Sequence, residues 1–344
     1  MKAEWQDSEL AEELPVDELL EYAEENGLDE YGTLRDFRVW DALSALLRKA
    51  IQATISKEML QVTASSLLIV LLCSLLRSVF SVSGTKLDVL TLTGAAAISM
   101  MTMSGNGALT KLGVETLGKA QDLANVLLPV LSGAALLSGS VTASAAKYAA
   151  AAFFLNILLN LCVNGVIPIV RLYTATAAAE AASGSELLGG VLGFLKRCVT
   201  LALTAILLAF TIYISLCGLI QGTTDAAVLR GAKTTISTAL PLVGSIASDA
   251  ASAVLAAAGV MRQSVGVFGF TALAAVLLLP FLRAGLQYLL FKSAAGITAG
   301  LADKRLNKLL ERLGEAMAML LACIGSCALM LFLSIYSLMK VTLG

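Results

Sequence analysis

Residues 222–259 read GTTDAAVLRGAKTTISTALPLVGSIASDAASAVLAAAG. This stretch carries ionisable and helix-breaking residues that its apolar flanks lack: Asp225, Arg230, Lys233, Pro241, Gly244 and Asp249. Such residues are costly in a membrane span, because unsatisfied backbone groups and charges are not hydrated in hydrocarbon. The stretch therefore predicts either a broken or re-entrant helix buried in protein, or a surface helix pair that covers the spans.

The flanking sequence predicts an integral membrane protein. Hydrophobic residues make up 58% of the 344 residues and charged residues 14%, against about 25% charged in ordinary soluble domains. A hydrocarbon core of about 30 Å takes about 20 apolar residues to cross as a helix. We predict an all-α polytopic fold with about six spans and up to eight, with segment 286–301 as a continuation or partial span. The six are residues 62–76, 87–104 (the weakest), 148–170, 199–219, 265–282 and 316–338.

The residues before these spans differ sharply in charge. Residues 1–34 contain twelve acidic and one basic side chain, a net charge of −11, and the whole chain has −1, so the remainder has +10. We predict an acidic, exposed N-terminal arm over 1–34 and an amphipathic helix over 35–60. That helix lies on the membrane surface, with Trp40 at headgroup level, or packs on its own protein. Residues 61–104 are assigned to N-terminal membrane helices. Lys and Arg occur in nearly every interval between spans, so they do not assign sides of the membrane.

Several chemistries are excluded by composition. The chain has no histidine, which removes imidazole metal sites and the Ser-His-Asp and Cys-His nucleophile systems. Its six cysteines lie in apolar segments and are interpreted as small buried hydrophobes. No GxxxxGK[ST] nucleotide loop is present. We therefore expect no enzyme activity, no cofactor and no metal. We also expect no nucleic-acid partner, because the basic residues are scattered rather than clustered on one face.

Rare residues recur at an offset of 112 positions, which predicts two diverged repeats over 105–219 and 220–344. If the proline-bearing small-residue segments do not cross the bilayer, each unit has two spans and the copies are parallel. If they cross, the repeat is inverted, as in many transporters. The pairs are Pro129 with Pro241, Pro168 with Pro280, Arg171 with Arg283, Gly184 with Gly296, and Lys196 with Lys308.

Proline removes a backbone donor and clashes with the preceding turn, so the helices at Pro129 and Pro241 are expected to be kinked or broken into two half-helices. Small residues, including the GxxxG spacings 189–193 and 296–300, predict close helix packing. The charged residues of 222–259 either mark a pathway or lie in an interfacial helix, where charge costs little. Asp249 favours a pathway, since no other charge lies near it in sequence.

Segment 222–254, the acidic arm and the order of the later spans resemble the stage III sporulation protein AE family, and the resemblance extends from about residue 33 to the C-terminus. It implies a multi-pass protein of the mother-cell membrane around the forespore, within a secretion-like channel complex needed for forespore development after engulfment. It also implies partners: the other membrane subunits of the same operon, a forespore protein and the lipid bilayer. An oligomer is left open. No catalytic role is carried over, since the matching motifs are not catalytic.

Two further functions are weighed. A secondary transporter would use a midplane site near Pro129, Pro241 and Asp249, with helices interrupted in the membrane. An intramembrane hydrolase would need paired aspartates, and Asp225 and Asp249 are far apart in sequence. We favour the non-enzymatic channel subunit.

Overall fold

The computed structural model describes Arg48, Thr54 and residues 57–80, 88–137, 141–239 and 244–339. These ranges form seven α-helices and no strand, which confirms the predicted all-α class. The predicted acidic arm, and the amphipathic helix except for a few of its residues, lie outside the described residues. A π-helical turn, Leu161–Val166, joins the helix Val141–Asn160 to the helix Ile167–Ser183. The helices are α1 (Lys57–Phe80), α2 (Asp88–Leu137), α3 (Val141–Asn160), α4 (Ile167–Ser183), α5 (Glu186–Ala239), α6 (Gly244–Thr298) and α7 (Lys304–Met339).

Within the described part, five helical segments are long and apolar enough to cross a membrane, and Val89–Thr102 is a shorter apolar segment. The five overlap five of the six predicted spans, and the shorter segment overlaps the predicted span 87–104. Segment 286–301 is not a separate span, because α6 runs through it from the preceding apolar run to Thr298. The five segments are Met59–Ser78, Ala145–Ser183, Glu186–Leu216, Val265–Thr298 and Lys304–Met339.

Helix α7 is the centre of the bundle and packs against all six other helices. A helix that is apolar on all sides is buried in the core of its protein, and residues 316–339 contain no Asp, Glu, Lys or Arg. Buried side chains of this run join one continuous core with Leu117, Leu131 and Leu158 from the surrounding helices. The last apolar run of the chain is therefore the element on which the others assemble.

Two helical hairpins turn at the same end of the bundle. Helix α4 ends at Gly184, which has φ 67° and donates its N–H to the Glu180 carbonyl oxygen at 2.8 Å. Helix α7 begins after Asp303, whose carboxylate accepts the Arg305 N–H at 2.8 Å. The two turns touch, because a Cβ built on Gly184 would lie 2.6 Å from Arg305 Cζ. We call this the turn end, defined by residues 183–186 and 299–304.

Helix α1 reaches the turn end as well. Arg77, in its last turn, forms an ion pair with Asp303, and Thr91 at the start of α2 donates to the same carboxylate at 3.2 Å. At the end of the bundle opposite the turn end, Lys147 Nζ donates to the Ser337 carbonyl oxygen at 3.0 Å. We call the end marked by these two residues the far end. Helices α1, α4 and α6 therefore run towards the turn end, and α2, α5 and α7 run away from it.

Helix α2 is not broken into two half-helices at Pro129, and the alternative expectation of a kink there stays a prediction. Helix α2 is continuous from Asp88 to Leu137 with Pro129 inside it, because the neighbouring leucines lock both flanks of the proline into the core. Pro280 likewise lies inside the continuous α6, whereas Pro168 lies in the first turn of α4, directly after the π-helical turn. A wider π turn accommodates a ring that would clash with a regular preceding turn.

Of the four glycines in the two GxxxG spacings, only Gly189 marks a close contact between helices, because a Cβ there would lie 2.6 Å from Glu180 Oε1 of α4. A Cβ on Gly193, Gly296 or Gly300 would meet no heavy atom within 4 Å. Close approach occurs instead where α6 crosses α2, since a Cβ on Gly269 would lie 2.3 Å from a methyl carbon of Leu127. Small residues do allow the helices to approach closely, but apart from Gly189 they do so at other positions than the GxxxG spacing predicts.

Candidate functional site

A network of charged side chains joins α4, α5 and α7 near the turn end, where the uncharged part of α7 begins. Arg312 is at its centre. Its Nε donates to Glu180 Oε2 at 3.3 Å, and its Nη1 donates to Glu315 Oε2 at 3.1 Å and to the Tyr173 hydroxyl at 3.4 Å. Tyr173 in turn donates its hydroxyl proton to Glu315. One guanidinium therefore ties both carboxylates and the phenol to α7.

Two lysines complete the network from its solvent side. Lys308 Nζ lies 2.7 Å from Glu180 Oε1, and Lys196 Nζ lies 2.8 Å from Glu315 Oε1. Both lysine side chains are about half exposed, whereas the Glu180 side chain is 7% exposed. Gly189 leaves the room that this carboxylate occupies, because a Cβ there would lie 2.6 Å from Glu180 Oε1. Each carboxylate thus has two cations, one inside the bundle and one at its surface.

A cavity of about 340 Å³ opens beside this network at the turn end. Its charged lining consists of Glu180 and Glu186 with three basic residues, Lys304, Arg305 and Lys308. Because Glu180 and Lys308 already bind each other, the cavity presents a mildly basic, polar surface. Among the described residues, no group of three or more Cys, Asp or Glu could hold a metal ion. The arrangement is a clamp between helices rather than an acid/base pair.

The residues predicted from the stretch 222–259 belong to the end of α5 and the start of α6. Asp225, Arg230 and Lys233 lie in helical backbone before Ala239, and Gly244 and Asp249 begin α6. Their side chains, and Pro241 entirely, lie outside the part of the chain that the structure describes. Their roles stay predictions.

The remaining predicted residues are spread over three helices. Pro129 lies in α2, Pro168 and the exposed Arg171 in α4, and Pro280 and the half-buried Arg283 in α6. The structure does not gather them into one site. Of the residues paired at the 112-residue offset, only Lys196 and Lys308 belong to the charged network.

Comparison with known proteins identifies the family. The family model for stage III sporulation protein AE matches residues 31–342. The chain belongs to this family. It is also similar to stage III sporulation protein AE of Bacillus subtilis (strain 168), with 24% identity over 209 residues, which is 61% of this chain. The chain aligns with about half, 52%, of that relative's length. No solved structure matches.

Sequence reasoning missed most of the charged network, because its pairs between different helices are 119 to 142 residues apart. Only the helix packing brings Tyr173, Glu180, Arg312 and Glu315 together. It also missed polar side chains at helical spacing on α2 and α3, among them Asn156, Asn160 and Asn164. That second set carries a visible signal, since asparagines at i, i+4 and i+8 fall on one face of a helix.

Proposed function

We propose that this protein is a non-enzymatic membrane subunit of a sporulation-specific, secretion-like channel complex that connects mother cell and forespore. The observation that carries the proposal is the family match over residues 31–342. The sporulation role follows from the family. Membership of a channel complex, its partners and its location in the mother-cell membrane are what we propose in addition. The partners would be other membrane subunits of the same operon and a forespore protein.

The geometry is consistent with a structural subunit. The charged side chains of the turn end are used in ion pairs between helices, such as Arg312 with Glu180 and Lys196 with Glu315. A catalytic group needs a pKa and position matched to a reaction, together with a place for the substrate next to it. Here both carboxylates are held by two cations each, which stabilises the bundle and leaves neither as a base. Energy for transport would then come from another subunit.

The experiment is gene deletion in the spore-forming host. After engulfment, forespore size and a reporter of late forespore transcription are measured in the deletion strain, in the parent, and in a strain with the intact gene restored at a second locus. We expect small forespores and low late transcription in the deletion strain, and recovery on restoration. Normal forespores in the deletion strain would refute the proposal.

The alternative of a secondary transporter rested on Asp249 and on helices interrupted at the paired prolines Pro129 and Pro241. Helix α2 is continuous through Pro129, so the interruption expected there does not support this alternative. Purified protein in liposomes discriminates the two functions: substrate-dependent flux that is lost in Asp249→Asn would favour the transporter over the channel subunit.

A further inference from the structure

An exposed strip of polar side chains runs along the outer surface of α2, α3 and the π-helical turn that follows α3. The residues recur at intervals of three or four, so each helix presents them on one face. Gln121 Nε2 donates to Asn156 Oδ1 at 3.2 Å and links the two helices within the strip. All seven residues of the strip are exposed: Lys111, Glu115, Lys119, Asp122, Asn156, Asn160 and Asn164. We call them the polar strip.

The polar strip lies at the depth of the apolar part of α7. On α2, a Cβ on Gly113 would lie 3.0 Å from a methyl carbon of Leu320. On α3, the asparagines lie between Lys147, which binds Ser337 at the far end, and Tyr173, which binds Glu315 near the turn end. Residues 316–339 of α7 are uncharged and buried in the middle of the bundle. The four ionisable groups extend over about 16 Å at this depth, at 1.5 Å per residue.

Lipid hydrocarbon does not solvate the charged side chains of the polar strip. The side chains of Lys111 and Glu115 are 79% and 56% exposed, and they form only a loose ion pair at 3.8 Å. A charged side chain at the centre of a bilayer is strongly disfavoured unless it is paired or hydrated. The outward face of α5 shows what a lipid contact looks like in this protein, because its exposed positions include Leu201, Leu208 and Ile212. The bundle therefore has one face suited to lipid and another that is not.

We propose that the polar strip lines an aqueous passage within the membrane. A dry protein partner would have to desolvate two cations and two anions in alternation, and buried ion pairs repay that cost only with excellent geometry. Water hydrates both signs, and the asparagines already bond along their own face, with Asn164 Nδ2 donating to Asn160 Oδ1 at 2.9 Å. The four charges sum to zero, so the lining suits hydrated polar solutes rather than ions of one sign.

The aqueous passage deepens the proposed channel function and rests on it for the identity of the conduit. One bundle supplies one wall, and the other walls come from neighbouring polypeptides in the membrane. The strip itself is a property of this chain, and its accessibility is measured separately from the sporulation phenotype.

The test measures cysteine accessibility in the membranes of sporulating cells that express the full chain. All six native cysteines are replaced by alanine, and single cysteines are introduced at Glu115, Asp122 or Asn160. The matched control is a cysteine at Leu208, which is also exposed and lies in the uncharged part of α5. Modification by a membrane-impermeant, positively charged methanethiosulfonate is followed as a gel shift with a mass-tagged maleimide. Immunoblots confirm that each variant accumulates, and Lys119 replaces any position that does not.

Because thiolates form and react in water, we expect the strip cysteines to react about tenfold or more faster than the cysteine at position 208. Equal, slow rates at all positions would overturn the proposal. So would strip cysteines that react only with a lipid-soluble maleimide, which places them in lipid, or with neither reagent, which places them in a dry interface. The deletion phenotype is read separately, so loss of the passage and loss of the sporulation role are distinguishable.

Discussion

Replacement of Arg312 by methionine tests whether the charged network holds the bundle together. The guanidinium makes three contacts, with Glu180, Glu315 and Tyr173, and its side chain is 17% exposed. Removing one partner of a buried pair costs about 3–5 kcal/mol when the other charge is left alone. In this network each carboxylate keeps a half-exposed lysine, Lys308 or Lys196. We therefore expect Arg312→Met to lower the free energy of unfolding by about 2–3 kcal/mol, below the full penalty.

Unfolding of the purified protein in mixed detergent micelles measures this loss, with helicity followed as the SDS fraction rises. Arg171→Met is the matched control, because Arg171 lies on α4 but is exposed, and exposed substitutions change stability by about 0.5 kcal/mol or less. Adding Glu180→Gln to Arg312→Met should recover about 1–2 kcal/mol, since the buried carboxylate that lost its inner cation is removed. Equal unfolding midpoints for Arg312→Met and Arg171→Met would refute the reasoning.

Three further substitutions test individual contacts by the same unfolding measurement. Lys147→Met should leave the free energy of unfolding unchanged or raise it by about 1 kcal/mol. Lys147 is only 4% exposed, and an apolar side chain of similar shape avoids the cost of desolvating the ammonium group. A loss above about 2 kcal/mol would contradict this. Gly184→Ala should cost about 1–2 kcal/mol, since its φ of 67° is left-handed, and Gly184→Asn should cost less; equal losses would argue against a backbone cause. Gly269→Ala should lower the free energy of unfolding by about 1–3 kcal/mol, because the added methyl group overlaps Leu127. Adding Leu127→Ala should restore part of this loss. If the losses from the two substitutions simply add, the two helices are not in contact there.

The spans could be predicted from the sequence because their signal is local. An apolar run of about 20 residues is recognisable without its neighbours, and the six predicted segments recur as helices in the described structure. Whether the helix continues through Pro129 depends on packing instead. Leu127, Leu128, Val130 and Leu131 are all buried in the core, so tertiary contacts outweigh the helix-breaking tendency of the proline.

The candidate site was less accessible to prediction. Tyr173 and Glu315 are 142 residues apart, and their contact depends on the register of α4 against α7, which no local pattern encodes. The polar strip was within reach, since Lys111, Glu115 and Asn160 stand at helical spacing with their neighbours. Because Lys and Arg were interpreted as scattered singly between segments, their spacing around each helix was not considered, and the polar strip was not predicted.

The bundle also changes what the basic residues imply about orientation. In sequence they occupy successive intervals, and no alternation is visible. In the structure Arg77, Arg305 and Lys308 all lie at or near the turn end, because each pair of intervening helices runs away from that end and returns to it. Lys196 also lies on this side, through its contact with Glu315. Within the described ranges, the helix directions thus place more basic residues at the turn end than at the far end, where Lys57 and Lys147 lie.

The positive-inside rule then predicts that the turn end faces the cytoplasm of the cell that makes the protein. A cysteine at Ser185, in the α4–α5 turn, should be protected from a membrane-impermeant thiol reagent added to intact protoplasts and should react after lysis. A cysteine at Lys57, at the start of α1 and therefore at the far end, should react in both conditions. The reverse pattern would assign the opposite orientation. Protection of both in intact cells would mean that α1 does not cross the bilayer, because only a crossing α1 places its first residue and the α4–α5 turn on different sides.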